Sequence, residues 1–285
     1  MAISHHLPWQ VNLAAKVVLS RMPVSYRIWK RVGFFNQGAM ERPEYAYTIF
    51  RRHFDAAGFS NRPGFACLEL GPGDSISSAL IAFALGASQT YLVDEGSFAI
   101  TDLSAYQRLV DYLGQKSLPI ANISNVRTCD QLLDVCSAKY LTGGVLSLRK
   151  IPSASVDFVF SNVTLQQVRR TDLVPVLNEL RRIQKPGGLG SHTVSIRDYL
   201  GGAANDLRFR TRMWESPFMA KSGFYTNRVR YTEMFRLFKQ AGFESEVIHT
   251  RRWNELPISR TKLAAEFADL SDDDLLTHEW DVLLH

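Results

Sequence analysis

Ala66-Cys67-Leu68-Glu69-Leu70-Gly71-Pro72-Gly73-Asp74-Ser75 is the stretch that decides how this chain of 285 residues is read. A short apolar run meets a Gly-x-Gly turn, and an apolar segment at helical spacing follows from Ser75 to Leu85. That order predicts a strand, a tight bend and a helix. Glycine admits backbone angles that other residues avoid, and it lets a ligand lie against bare main chain. The helix beyond opens with free N–H groups. The stretch is therefore a small-molecule cradle, with a tight turn that holds no ligand as the plainer alternative.

Three cofactor classes use such a cradle. A phosphate-gripping loop needs Gly-x-x-x-x-Gly-Lys-Ser/Thr, and the chain has no such run. A dinucleotide site needs a third glycine where Ile76 stands. The third pattern, Glu69-x-Gly71-x-Gly73, resembles the first motif of the class I S-adenosylmethionine-dependent methyltransferases. Further stretches resemble the same family, in its order. Thr90-Tyr91-Leu92-Val93-Asp94-Glu95 is similar to its second strand. An acid placed like Asp94 can accept both hydrogen bonds of a ribose diol, or it can cap a helix. Ser155-Val156-Asp157-Phe158-Val159-Phe160-Ser161-Asn162 resembles the fourth strand, Lys185-Pro186-Gly187-Gly188 the turn into strand five, and Ala241-Gly242-Phe243 the helix end before strand six.

The resemblance implies a three-layer α/β/α Rossmann-like sheet of seven strands, the last one antiparallel between strands five and six. It implies S-adenosyl-L-methionine as cofactor. The first motif would supply Glu69, Gly71, Pro72, Gly73, Asp74 and Ser75, and the second strand Asp94 and Glu95. The turn after strand three would add Gly144 and Val145, and the end of strand four Ser161 and Asn162. That turn, Thr142-Gly143-Gly144-Val145-Leu146, lacks the carboxylate that family members aim at the adenine amino group. Backbone N–H groups and the apolar Val145 and Leu146 are the expected substitutes.

The first strand is expected at Phe65–Leu70, with later strands at 90–93, 139–141, 156–161, 190–197 and 246–253 and the last at 279–284. Residues 1–60 read as an N-terminal helical extension over the cofactor mouth. Its helices are expected at 11–18, 26–35 and 43–59, with Tyr45, Ile49, His53 and Phe54 at helical spacing on the third. Trp9, Trp29, Phe34 and Phe35 give it apolar surface to dock. Residues 61–285 read as the methyltransferase domain, with a substrate-side insertion at 197–232. A helix is also expected at 259–267.

The insertion is aromatic, basic and glycine-bearing, which suits a ring or sugar face and an anion. Tyr199, Trp214, Tyr225, Asn227 and Arg228 are its candidate substrate residues. The same stretch is loosely similar to methyltransferases of surface-polysaccharide and glycan biosynthesis. A hydroxyl acceptor needs a base: Asp198 is the first candidate, then His249, with Tyr225 in support. Each has a plainer use, Asp198 as a loop cap or ion-pair partner, Tyr225 as a tie within the loop. His53 and His192 read as structural.

Composition narrows the function classes. The apolar fraction is 46% and the net charge +5, spread unevenly: residues 197–252 carry eleven Lys/Arg against six acids, and from Glu266 onward there are seven acids and no Lys or Arg. Basic segments suit an anionic or sugar-containing small molecule, and they also keep nucleic acid in view. No Asn-Pro-Pro-Tyr/Phe follows strand four, which opposes base methylation, and Gln166-Gln167 stands where many small-molecule members carry Glu-His. Cys67, Cys129 and Cys136 form neither a disulfide framework nor a zinc site. No signal peptide or membrane span is legible, so a cytoplasmic enzyme is expected. Three readings follow: a small-molecule O-methyltransferase, a nucleic-acid methyltransferase, and a binding module that kept the fold without the chemistry.

Overall fold

The computed structural model describes residues 8–19, 39–59 and 62–285. The helix expected at 26–35, with Trp29, Phe34 and Phe35, lies outside the described residues. Among those described, seven strands form one sheet: β1 (Ala66–Leu70), β2 (Gln89–Val93), β3 (Ala138–Leu141), β4 (Val156–Asn162), β5 (Gln184–Ser195), β6 (Ser245–Arg252) and β7 (Thr277–Leu284). Their order is β3-β2-β1-β4-β5-β7-β6. β7 runs antiparallel between β5 and β6, and the pairs among β1 to β5 are parallel. Every residue of β1 is buried, because a central parallel strand is covered on both faces.

Two apolar layers close over the sheet. The first described helix is α1 (Trp9–Leu19); on one face of the sheet lie α2 (Pro43–Ala56), α3 (Ser77–Ala84), α4 (Leu103–Gln115) and α5 (Cys129–Val135), packed on Cys67, Leu92, Phe158 and Phe160. On the other lie α6 (Arg170–Ile183) and α7 (Tyr231–Gln240), packed on Leu68, Val159, Val194 and Trp280. α2 belongs to the core of the sheet. Phe50 and Phe54 are buried and meet the rings of Phe158 and Phe160 at 5.2–6.1 Å. The division at residue 60 thus crosses one continuous apolar layer. Tyr45, expected on the packed face of α2, is exposed, and Ala46 and Phe50 take that side.

Two elements differ most from expectation. β5 starts six residues earlier than Gly190, because Gln184 pairs with Val156 and an irregularity absorbs Lys185–Gly188 before Leu189 pairs with Phe158. No continuous helix spans 259–267; a short 3-10 turn (Arg260–Lys262) and a helical turn (Ala265–Ala268) stand there. The break falls at Leu263 and Ala264, both extended, where the Ala264 N–H donates to the Leu207 carbonyl at 2.9 Å and leaves the local ladder. β6 is exposed along its whole length, an edge strand that carries Glu246, Arg251 and Arg252, charges that discourage further pairing.

The insertion forms its own small core. Leu200, Trp214, Met219, Phe224 and Tyr225 are buried together, with Trp9, Leu13 and Val17 of α1 against them. Lys16 Nζ and Asn12 Nδ2 donate to the carbonyls of Tyr199 (2.7 Å) and Leu200 (3.3 Å).

Candidate active site

The bend after β1 is built on two left-handed residues, Gly71 at φ +75° and Gly73 at φ +67°. Side chains are strained there, and at Gly71 there is also no room: a Cβ would stand 2.4 Å from Thr164 Oγ1 and Cγ2. The Gly71 N–H donates to the Val93 carbonyl at 2.8 Å, which locks the bend to the end of β2. Asp94 completes the lock. Its Oδ2 accepts from Gly73 N at 3.0 Å and its Oδ1 from Glu95 N at 2.7 Å. A carboxylate oxygen has lone pairs for more than one donor, so both oxygens can still accept from a ligand.

A cavity of about 340 Å³ opens over this bend, within the size range of small-molecule pockets. Gly71, Asp94, Glu95, Gly144 and Val145 line it. Gly144 sits at φ +52° and donates to the Asp94 carbonyl at 2.8 Å, which brings the turn after β3 up to the end of β2. Val145 and the exposed Leu146 give that end an apolar lip. Burial dominates the electrostatics. It pushes Asp94 up to about 6 against the pull of the Gly73 and Glu95 amides, and Glu69 up to about 8, with the Asp94 charge adding to it. Glu69 Oε2 has no hydrogen-bond partner.

The other expected cofactor residues sit elsewhere. Pro72, Asp74 and Ser75 are buried beneath the bend, and Ser75 Oγ accepts from Ser77 N at 3.2 Å at the start of α3. Ser161 points into the protein, sharing a 2.8 Å hydrogen bond with His192 Nδ1. In their place the chain after β4 curls across the cavity and contributes Thr164, Gln167, Val168 and Arg169. The sequence signal for this was slight. Gln167 occupied the place of a familiar histidine, and nothing marked Thr164.

Most candidate substrate and catalytic residues are committed within the insertion. Asp198 is buried and accepts from the amides of Leu200 (2.9 Å), Gly202 (3.0 Å), Ala203 (3.3 Å) and Asn205. It is a loop cap, held by four backbone donors. Tyr225 is buried, accepts from Arg170 N at 3.1 Å and donates to Glu215 Oε2 at 2.8 Å; burial pushes its phenol up, away from a base. Asn227 donates to the carbonyls of Leu165 (2.8 Å) and Val168 (3.0 Å), so it moors the insertion to the cavity wall. Trp214 is buried and donates to the Thr226 carbonyl at 2.7 Å. Arg228 is buried too, between the rings of Trp214 and Phe267. Tyr199 also reaches the cavity wall, its hydroxyl accepting from Gln167 Nε2 at 2.6 Å.

A polar row crosses the sheet beside the cavity. Asn162 on β4, Thr193 on β5, Asp281 on β7 and His249 on β6 are successive cross-strand partners. Arg52 of α2 reaches this row and donates to Asn162 Oδ1 at 2.8 Å and Thr193 Oγ1 at 2.9 Å. Thr193 Oγ1 in turn donates to Asp281 Oδ1. Three strand spacings put His249 about 14 Å from Asn162, too far to serve an acceptor at the end of β4. His53 and His192 are nearer but buried, and burial pushes both down to about 3, too weak to act as bases near neutrality.

Residues 68–190 match the family model described as a methyltransferase domain. No curated protein matches the chain. Among solved structures it is similar to an arsenic(III) S-adenosylmethionine methyltransferase from Chlamydomonas reinhardtii, at 14% identity over 94% of this chain and 72% of that one, with a TM-score of 0.46. It is similar to 1,6-didemethyltoxoflavin-N1-methyltransferase from Burkholderia thailandensis, crystallised with 1,6-didemethyltoxoflavin and S-adenosylhomocysteine, at 14% identity over 100% and 90% of the two chains and a TM-score of 0.45. A SAM-dependent methyltransferase from Archaeoglobus fulgidus gives 8% identity over 91% and 99%, with a TM-score of 0.46.

Proposed function

We propose, from the premise that residues 68–190 form a class I S-adenosylmethionine-dependent methyltransferase domain, that this chain methylates a hydroxyl of a small molecule seated at the carboxyl ends of β4 and β5. The observation that carries the reading is the locked bend: Gly71 backed by Thr164, with Asp94 holding Gly73, at the floor of the 340 Å³ cavity. Asp94 suits the ribose diol, and the lip of Gly144 and Val145 suits the adenine. The bare main chain of Gly71 suits the amino-acid part.

When bound, the cofactor supplies a methyl group on a positively charged sulfur, already a good leaving group. The chain's work is then to orient the acceptor, exclude water and take up a proton. Asn162 and Thr193 offer polar groups at the strand ends, and Arg52 fixes both. In this reading the acceptor hydroxyl gives its proton to Thr193 Oγ1, which passes its own proton to the Asp281 carboxylate it already donates to. Asp281 replaces Asp198 in this role, since Asp198 is buried and caps its own loop through four backbone amides.

The test has two steps. Calorimetry with S-adenosylmethionine must show saturable binding; no binding leaves only a fold without the chemistry. Methyl transfer is then scored on hydroxyl-bearing and amine-bearing small molecules. With an active hydroxyl acceptor, Asp281→Asn should lower kcat by about 10²–10⁴-fold, the usual span of general base catalysis, with cofactor affinity kept. Full activity in that variant removes Asp281 as base, and transfer to amines alone removes the hydroxyl reading.

A further inference from the structure

The 340 Å³ cavity is lined by a carboxylate that neither the bend nor the insertion uses. Asp172 stands in the first turn of α6 and is exposed. Asp172 and Val176 are four residues apart, so they share one face of that helix, and Val176 lines the same cavity. The turn after β3 packs against α6: Val145 and Leu148 share an apolar cluster with Leu173, Val176 and Leu177. Gly144, Val145 and Leu146 of that turn line the cavity as well. The carboxylate and the apolar lip therefore belong to one end of the cavity.

The other two acids of the cavity sit at the end of β2. Asp94 holds the amides of Gly73 and Glu95, and Glu95 follows it directly. Asp172 Oδ1 accepts from the neighbouring Thr171 hydroxyl at 3.2 Å, and among the described residues its Oδ2 has no partner. It forms no ion pair among them, although Arg169 lines the same cavity.

The lip itself is short of acceptors. The carbonyls of Gly143 and Gly144 are directed into the turn's own hydrogen bonds, from Leu146 N at 3.1 Å and Ser147 N at 2.9 Å. Val145 and Leu146 carry no polar side-chain atom. An adenine ring brings an amine to that end, and an amine needs an acceptor.

We propose that Asp172 accepts from the amino group of the cofactor's adenine, and that it makes this cavity choose an adenosyl group over its 6-oxo counterpart. Val145 and Leu146 give the ring its apolar contact, and Asp172 takes the amine. An ionised carboxylate only accepts, so an amine complements it, whereas an oxo group in the same place sets acceptor against acceptor. Asp172 also complements the positive end of α6 as a first-turn acid, a role that is the same for either ligand. The proposal rests on the cofactor half of the proposed function and is independent of which atom is methylated.

The probes are S-adenosylhomocysteine and S-inosylhomocysteine, the second with an oxo group where the first has the amine. Each is titrated into the full chain by calorimetry. Wild type should prefer the adenosyl form by about tenfold or more, the worth of one hydrogen bond to a charged group. Asp172→Ala should bring the ratio to within a few-fold of one by weakening the adenosyl form. Asp172→Asn should do the same by tightening the inosyl form, because its amide donates as well as accepts. The ratio is read within each variant, so neither an altered helix end nor a smaller folded fraction moves it. A ratio that survives in both Asp172 variants overturns the proposal, and so does its loss in Glu95→Gln alone. Wild type that binds both forms equally overturns this proposal and leaves the cofactor reading standing; wild type that binds neither overturns both.

Discussion

Asp94 does two jobs that a substitution separates by measurement. It holds the bend through Gly73 and Glu95, and its remaining lone pairs face the cavity. Asp94→Ala should weaken S-adenosylmethionine by about 1–3 kcal/mol, the worth of hydrogen bonds to a charged group; an unchanged dissociation constant by calorimetry would rule out the ribose role. Gly71 is constrained twice, by φ +75° and by Thr164 behind it. Gly71→Ala should destabilise the fold by about 1–2 kcal/mol from the left-handed angle, plus the clash. Adding Thr164→Gly should recover the clash and leave the angle, so denaturation of the double variant should fall between wild type and Gly71→Ala. Equal stability of single and double variants would mean that Thr164 simply moves aside.

The insertion is held together by its own side chains. A loop from β5 to α7 that is aromatic and basic reads like a substrate grip, yet its Trp214, Tyr225 and Arg228 are its own core. Asp198 holds its first turn through four backbone amides. Asp198→Asn swaps an acceptor-only carboxylate for a group that carries two donors. It should lower the melting temperature, with kcat per folded molecule changing little. Wild-type stability together with a hundredfold loss of kcat would restore Asp198 as the base. At the other end of the chain, α2 was expected over the cofactor mouth, but Phe50 and Phe54 pack it on β4. Arg52 reaches the strand ends from there.

Across the whole molecule, buried titratable groups set opposite pH slopes. Glu69 is raised to about 8 in the fold, so the native state holds its proton where the unfolded chain releases it. Its contribution to stability is complete below the ordinary glutamate range and is lost as pH rises through about 8. His53 and His192 are lowered to about 3. Their contribution is complete above the ordinary histidine range and is lost as pH falls toward 3. Glu69→Gln should therefore unfold at higher denaturant than wild type at pH 9, by on the order of a few kcal/mol, and show no such gain at pH 4. The same gain at both pH values would mean that Glu69 is not titrating in the fold.

The strand at β1, the glycine bend and an acid at the end of β2 were legible in the linear chain, and the antiparallel last strand was implied by the family resemblance. The first three rest on local chemistry: apolar runs that bury both faces, glycines that alone accept a left-handed angle, and an acid at a strand end. What a side chain does once the chain is closed was not legible. Asp198 became a cap and Arg228 a buried cation because of the amides, carbonyls and rings brought against them from elsewhere in the fold. Arg52, on a helix more than a hundred residues before β4 ends, found Asn162 and Thr193 only through the packing of α2 on the sheet. Sequence determines the directions of the backbone over a few residues; which donor meets which acceptor is decided by contacts between distant segments, and these exist only in three dimensions.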